Sequence, residues 1–299
     1  MNFNNPISLA QAARPESRRL ATLPNVVLLI GCAVLVLPTM FQVARETWST
    51  EQGGHGPLVL ATGLWAVWRE LKAKHPEMHT GKAIPSLLML GASLTLFVLA
   101  RITGILEIEG FAMYGAVIAG AYFIVGGAVL RVIWLPLFYL AFTLPPPDTV
   151  VAAVTQPIKI AISSWAVSVL HAFGLPIASS GVTIQVGQYQ LLVAAACAGL
   201  NSIVTLTALC LFYVYLRHRS NPIAFLVIAV AAIPIAVLSN FVRVLVLVLV
   251  TYYLGDAAAQ GFLHDFAGLL MFAIALLAVF GVDKLATPLL LERKRIAAE

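Results

Sequence analysis

Charge is what this 299-residue chain lacks most. Only 10% of its residues are charged and 61% are hydrophobic, and the mean hydropathy is +0.94. An ordinary globular domain carries roughly 25% charged residues, so this composition excludes a water-soluble globular protein. A disordered chain is excluded as well, because disorder requires low hydrophobicity. The composition therefore predicts an integral membrane protein built from a bundle of helices.

Cysteine and the common metal or phosphate motifs are also scarce. The chain has three cysteines, of which Cys32 and Cys210 lie inside apolar runs and Cys197 lies near a predicted membrane surface. A secreted module held by disulfides is therefore excluded. The spacings H-E-x-x-H and C-x-x-C, the phosphate-binding loop G-x-x-x-x-G-K-[ST] and the G-x-S-x-G elbow are all absent from the sequence. We expect no metal and no cofactor.

Long apolar runs define the predicted fold. A hydrocarbon core of about 30 Å requires about 20 apolar residues per helix. Eight runs meet or approach this length, and the two runs 56–68 and 132–144 are short for a full crossing. The sequence predicts an all-α membrane protein with about eight transmembrane helices, at 23–43, 56–68, 83–100, 111–130, 132–144, 192–216, 223–239 and 265–282.

The distribution of basic residues predicts the orientation. With the N-terminus in the cytoplasm, the cytoplasmic segments contain all of the 18 Lys and Arg residues except Arg45, Arg101, Lys159 and Arg243. This asymmetry follows the positive-inside rule and places both termini in the cytoplasm. The predicted organisation is a cytoplasmic tail 1–22, N-terminal membrane helices 23–144, a second membrane region 145–282 with an extracytoplasmic loop and hairpin, and a basic cytoplasmic tail 283–299.

Two stretches on the outer side do not read as membrane spans. In the first, polar positions interleave with apolar ones over 149–172, which predicts a helix lying at the membrane interface. Alternation around a glycine over 181–192 predicts a short extracytoplasmic β-hairpin. In the second stretch, 240–264, the apolar part 244–254 is too short to cross and return. It either continues the preceding helix or lies near the outer surface.

Arg243 stands in an otherwise apolar tract, where a guanidinium needs a partner or water. Asn240 precedes it by three residues and so lies on the same helical face, which favours a shared polar site. The alternative is an arginine that reaches to the outer lipid headgroups.

Cys197 and His264 are the other two candidate reactive residues. Cys197 opens the predicted helix 192–216, where the helix dipole favours a thiolate, although cysteine is often only a small apolar filler. His264 lies on the same outer side, where a histidine is often merely interfacial, and His171 and His55 also lie there. Together a thiol, an imidazole and a guanidinium supply the groups for nucleophilic attack on a carbonyl.

The order of these motifs resembles the exosortase and archaeosortase family. The motifs are Cys197-Ala-Gly-Leu-x-Ser202, Asn240-x-x-Arg243 and His264-x-x-x-Gly268. The resemblance implies a polytopic cysteine transpeptidase with Cys197 as nucleophile, His264 as general base and acid, and Arg243 stabilising the thiolate or oxyanion. Asn240, Gln156 and Ser202 are expected to contact the substrate. The chain differs from the family pattern at Ala198 and Asn201, which affects the expected subfamily and signal.

The same resemblance implies the substrate and the location. The expected substrates are exported, membrane-anchored proteins with a C-terminal sorting signal of the PEP-CTERM type: a short motif, a transmembrane helix and a basic tail. Cleavage through a Cys197 acyl-enzyme is expected at the outer face of the bacterial cytoplasmic membrane, with transfer to an unspecified acceptor. The bilayer and these substrates are the expected partners, and nucleic acid is not.

Two other functions remain open from the residues alone. A transporter or channel would use Arg243 and Asn240 as a pathway site, although the sequence shows neither a string of carboxylates nor an internal repeat. A non-catalytic membrane subunit of an exopolysaccharide assembly or export system would use Cys197 only for packing.

Overall fold

The computed structural model describes residues 23–49, 53–192, 200–218, 221–259 and 273–285, and it is mostly helical. Within these residues, four helices are long and apolar enough to cross a membrane: Ala83–Thr103, Leu106–Thr143, Thr149–Ala172 and Ile223–Leu254. The third of them is the helix that the sequence predicted to lie at the membrane interface, and its length and apolar composition also suit a span. The helices are α1 Leu23–Val43, α2 Gly56–Lys74, α3 Ala83–Thr103, α4 Leu106–Leu140, α5 Asp148–Ala172, α6 Leu200–His218, α7 Pro222–Leu254 and α8 at 273–285. A π-helical turn, Ala44–Trp48, follows α1, and a 3₁₀ turn, Ala141–Thr143, follows α4.

Helix α4 is a helical hairpin rather than one straight rod. Gly126 has φ 78° and ψ 175°, which interrupts the helix. The Tyr114 hydroxyl donates to the carbonyl oxygen of Leu137 at 2.5 Å. In a straight helix these two residues would lie about 34 Å apart, so the two arms must run back alongside each other. Two predicted spans, 111–130 and the shorter 132–144, thus become the two arms of one hairpin.

The turn of this hairpin is at Gly126, not at Arg131 as the sequence pattern predicted. A Cβ atom at position 126 would lie 1.9 Å from the carbonyl oxygen of His79, and the positive φ itself favours glycine. Close backbone approach therefore sets the position of the turn. Arg131 lies within the second arm, where its Nε donates to the carbonyl oxygen of Gly127.

The molecule has two ends that differ in charge. At the first, which we call the basic end, the amide of Gly81 donates to the carbonyl oxygen of Phe123 near the hairpin turn. The charged or titratable residues of this end include Lys72, Lys74, Lys82, Arg217, His218 and Lys284. At the second, the opposite end, the Trp48 indole donates to the carbonyl oxygen of Thr143 at 3.1 Å. This segregation agrees with the predicted positive-inside distribution.

A small three-stranded antiparallel sheet follows α5, with strands β1 Ile177–Ser180, β2 Thr183–Val186 and β3 Tyr189–Leu192 in the order β1-β2-β3. Two-residue turns begin at Gly181 and Gly187, whose φ values are +60° and +59°. Glycine at the first turn position is typical of tight hairpins. The sequence predicted a single hairpin, and the structure has two hairpins that share β2. Leu192, the predicted start of a helix, belongs to β3.

Two helices are longer than predicted. Helix α2 begins at Gly56 as expected, with Pro57 in its first turn, but continues past residue 68 to Lys74. Helix α7 continues past residue 239 to Leu254, which makes it 33 residues, or about 50 Å, long. The apolar part of the predicted 240–264 loop is therefore largely a continuation of this helix. Helix α7 is thus longer than the thickness of a hydrocarbon core, which is about 30 Å.

The C-terminal half has two apolar clusters. One is formed by α6, α7 and α8 around Leu206, Cys210, Val214, Ile228 and Val279. The other is formed by α5, the sheet and the outer part of α7, with Ile162, Ala166, Leu170, Ile184, Val186, Val244 and Val248 among its members. Helix α7 therefore passes from a helical bundle into a cluster covered by the sheet, and the residues at that passage are the candidates for function.

Candidate functional site

The pairing of α6 with α7 fixes the height of Asn240. Helix α6 ends at His218 and α7 begins at Pro222, so the two helices run antiparallel from a short connection. The number of residues from Leu200 to His218 equals the number of residues from Pro222 to Asn240. At about 1.5 Å per residue, both Leu200 and Asn240 lie about 27 Å from the connection. Asn240 is therefore level with the beginning of α6, at the opposite end of the molecule.

Asn240 and Arg243 lie at the junction of the two apolar clusters. Ala236 belongs to the bundle cluster and Val244 to the sheet cluster, and the two polar residues stand between them on α7. Asn240 is 1% exposed, and Arg243 is partly buried. Their spacing of three residues puts them on one side of the helix. The structure thus brings together the predicted pair, a buried amide and a guanidinium.

This pair can bind an oxygen that carries negative charge. Burying polar groups among apolar ones is costly unless hydrogen bonds or charge compensate, so such groups at a cluster junction have a structural or functional reason. A guanidinium in a water-poor site stabilises an anionic oxygen more strongly than it would in water. The geometry suits a carboxylate or the oxyanion of a tetrahedral intermediate.

Gln156 lies on α5, the helix that packs against the outer part of α7. It is exposed in the first half of α5. Further along α5, the rings of Trp165 and Phe241 meet edge to face with centroids 6.4 Å apart. Ser202 lies in the first turn of α6, so its backbone is near the height of Asn240. Cys197 and His264 lie outside the described residues.

A buried acid at the basic end escaped the sequence analysis. Asp283 of α8 is 6% exposed and accepts hydrogen bonds from His218, at 2.5 Å, and from Tyr213. Arg217 lies 3.8 Å from the same carboxylate. The sequence pattern placed Asp283 at the start of the cytoplasmic tail 283–299. Asp283 and His218 lie at the end of the bundle remote from Asn240 and join α6 to α8.

Two further buried acids tie helices together in the same way. Glu70 of α2 accepts a hydrogen bond from Tyr215 of α6 at 2.8 Å. At the opposite end, Glu109 of α4 accepts from Arg101 at 2.6 Å and from Thr39 at 2.7 Å. The sequence indicates such hydrogen bonds between helices only by a carboxylate at the very end of an apolar run, because the partners of these acids lie on other helices.

In the described part of the chain, no group of three His, Cys, Asp or Glu residues is placed to hold a metal ion.

The comparison with protein families gives one match. The family described as transmembrane exosortase, of the EpsH type, matches residues 47–281. Neither the search of curated proteins nor the search of solved structures finds a match. The matched range includes α2 to α7, the sheet and the junction of the two clusters.

Proposed function

The chain belongs to the transmembrane exosortase family, and from this membership we propose that it is a membrane cysteine transpeptidase. Its substrates are exported proteins with a C-terminal sorting signal, which it cleaves at the outer face of the cytoplasmic membrane. Cys197 is the nucleophile, His264 the general base and acid, and Arg243 the group that stabilises negative charge. The observation that carries this proposal is the position of Asn240 and Arg243 opposite the beginning of α6.

Chain connectivity supports the pairing of Cys197 with Arg243. Cys197 precedes Leu200, the first described residue of α6, by three residues, so their Cα atoms are at most about 11 Å apart. Leu200 lies at the height of Asn240, which is about one helical turn from Arg243. The chain therefore holds Cys197 within a short distance of the first described residue level with this pair.

The register of α6 and α8 supports His264 as the base. The two helices are parallel, and two hydrogen-bonded pairs join them. Tyr213 and Asp283 are 70 residues apart in the sequence, and His218 and Asp283 are 65 residues apart. The rings of Tyr213 and Phe280 meet edge to face, and the sequence separation of these two residues lies between those two values. The sequence separation of Cys197 and His264 also falls between them. This sequence separation supports the assignment of the thiol and the imidazole to one site.

The proposed reaction has two steps. The Cys197 thiolate attacks the carbonyl carbon of the scissile peptide, and the oxyanion that forms is stabilised by the Arg243 guanidinium. His264 takes the thiol proton and delivers it to the leaving amine, which leaves a thioester between Cys197 and the exported protein. An amine or hydroxyl acceptor then attacks the thioester and regenerates the thiol. Water would give hydrolysis instead.

The proposed location is the extracytoplasmic side of the bacterial cytoplasmic membrane, with both termini in the cytoplasm. The basic end would face the cytoplasm under the positive-inside rule. Arg243 lies about 32 Å along α7 from the start of that helix, which matches the thickness of the hydrocarbon core. A substrate whose single membrane helix lies beside the bundle would present its signal peptide bond at this height.

The test is co-expression of the full chain with a tagged reporter that ends in a short motif, an apolar span and a basic tail. The intact chain should convert the precursor to a shorter species. Cys197→Ala should abolish the conversion, while Cys32→Ala and Cys210→Ala, which remove the other two thiols, should retain it. Hydroxylamine should release the reporter as a hydroxamate from a thioester. Conversion that persists in Cys197→Ala would overturn the nucleophile and favour a non-catalytic or transport role.

A further inference from the structure

We propose that the N-terminal helices hold a phospholipid of the leaflet at the opposite end, with an acyl chain in a groove between α1, α2 and the α4 hairpin. The groove has a volume of about 1030 Å³. This site is separate from the proposed transpeptidase chemistry and does not depend on it. Its lining is almost wholly apolar and includes Leu37, Phe41, Leu64, Val117 and Leu140.

The depth of the groove identifies the occupant. Its lining residue Cys32 lies about 16 Å along α1 from Val43, the last residue of that helix. Half of a hydrocarbon core of about 30 Å is about 15 Å. The groove therefore extends from one membrane surface to the middle of the bilayer. That is the depth of a single acyl chain, whereas a transmembrane helix would require a groove through both leaflets.

The mouth of the groove has polar groups at the height of the lipid ester and headgroup. The Thr143 hydroxyl lines the groove, is buried, and has no hydrogen-bond partner within the described residues. A hydroxyl in that position can donate to an ester carbonyl oxygen. The Trp48 indole stands beside it and donates to the carbonyl oxygen of Thr143. Trp is the residue type expected at a membrane interface.

Arg45 supplies the charge that matches a phosphate. It is exposed in the π-helical turn Ala44–Trp48, four residues after the lining residue Phe41. The adjacent carboxylate of Glu46 accepts a hydrogen bond from Gln42, on a neighbouring row of the helix. A guanidinium at the headgroup level is a favourable partner for a phosphodiester. The combination of an apolar leaflet-deep groove, an unpartnered hydroxyl and a cation fits a glycerophospholipid.

The exposed apolar side chains at the opening of the groove also favour lipid over water as its occupant. Leu37 and Phe41 of α1 are 66% and 69% exposed, and Leu64 of α2 is 55% exposed, although all three line the groove. An apolar space inside a bilayer does not hold water, because water there would lack polar partners. An acyl chain restores the contacts that these side chains otherwise lack.

The test uses the full chain purified in detergent and titrated with dipalmitoyl phosphatidylglycerol or with dipalmitoylglycerol, and lipid adducts are counted by native mass spectrometry. Leu37→Trp combined with Leu64→Trp should fill the groove. Each methylene kept out of an apolar site lowers the affinity roughly fourfold, so retention of phosphatidylglycerol should fall at least about tenfold. The matched control is Leu88→Trp with Leu99→Trp on α3, at positions that are 70% and 55% exposed and lie away from the groove.

The headgroup is tested separately with Arg45→Gln. This variant should bind phosphatidylglycerol as weakly as the intact chain binds dipalmitoylglycerol, and its binding of dipalmitoylglycerol should be unchanged. Equal retention of phosphatidylglycerol by the filled-groove variant and the α3 control would overturn the proposal. Loss of co-purified reporter precursor from the filled-groove variant, with lipid retention unchanged, would also overturn it and would identify the substrate helix as the occupant.

Discussion

The two ends of the α6–α7–α8 bundle use their few polar groups differently. At the basic end, Asp283 is buried and bonded to Tyr213 and His218, so its contacts join two helices. At the opposite end, Asn240 and Arg243 lie side by side on one helix, between two apolar clusters. Bonds between helices stabilise the bundle, whereas a buried polar pair at the junction of two apolar clusters is the arrangement that the proposed function uses to bind negative charge. The proposed function thus assigns the polar groups of the two ends to different roles.

The largest expected effect is on stability and comes from Asp283→Ala. Breaking a buried charge pair by removing one partner costs about 3–5 kcal/mol of unfolding free energy, because His218 remains buried without its acid. The thermal midpoint of the purified protein should fall, while Lys284→Ala, at the exposed neighbouring position, should leave it unchanged.

Asp283→Asn is the milder companion variant, because its amide retains one acceptor oxygen. Its thermal midpoint should lie between that of the intact chain and that of Asp283→Ala. Reporter conversion per folded molecule should be retained in Asp283→Asn. If conversion is lost while the midpoint is unchanged, the basic end has a catalytic role and the comparison fails.

The second prediction concerns Arg243→Gln at the opposite end. Removing one donor to a developing oxyanion lowers the rate about 10²–10³-fold, equivalent to about 2.7–4 kcal/mol. Reporter conversion should fall by this factor with little change in the thermal midpoint. Lys159→Gln on α5 removes another cation from the same end and should convert the reporter normally. A large fall in the midpoint of Arg243→Gln would assign Arg243 a structural role instead.

Much of the helical fold could be predicted because it depends on local sequence. The beginnings of α1, α2 and α3 coincide with the predicted starts, since proline and the first residues of apolar runs mark them. The predicted span 223–239 ends before α7 does, and the alternative that the following stretch continues this helix is the correct one. Asn240 and Arg243 interrupt the apolar pattern, yet their backbone remains helical because hydrogen bonds along the helix do not depend on side-chain polarity.

The candidate site was predictable in part. The spacing of Asn240 and Arg243 on one helical face is local and follows from the helical period, whereas the position of Gln156 relative to them depends on how α5 packs and is not written in the sequence. The buried acids could not be predicted, because Glu109 bonds to Thr39 across 70 residues and Glu70 to Tyr215 across 145. Such pairs form only when helices meet, so no periodicity in the sequence records them.

The smallest effect sharpens the comparison within the opposite end, through Thr39→Val. This substitution keeps the shape of the side chain and removes its hydrogen bond to the buried Glu109. A hydrogen bond to a charged group contributes about 1.5–3 kcal/mol, so the thermal midpoint should fall by less than in Asp283→Ala. Thr95→Val, whose hydroxyl bonds to the carbonyl oxygen of Gly91 in its own helix, is the matched control and should be neutral.

Reporter conversion per folded molecule should be normal in Thr39→Val, although Thr39 lies at the same end as Arg243. The reason is that Glu109 holds α1, α3 and α4 together through Thr39 and Arg101, as Asp283 holds α6 and α8. The distinction between structural and functional polar groups would then follow the contacts of each residue rather than its side of the membrane. A loss of conversion at an unchanged midpoint would show instead that the whole opposite end acts as one site.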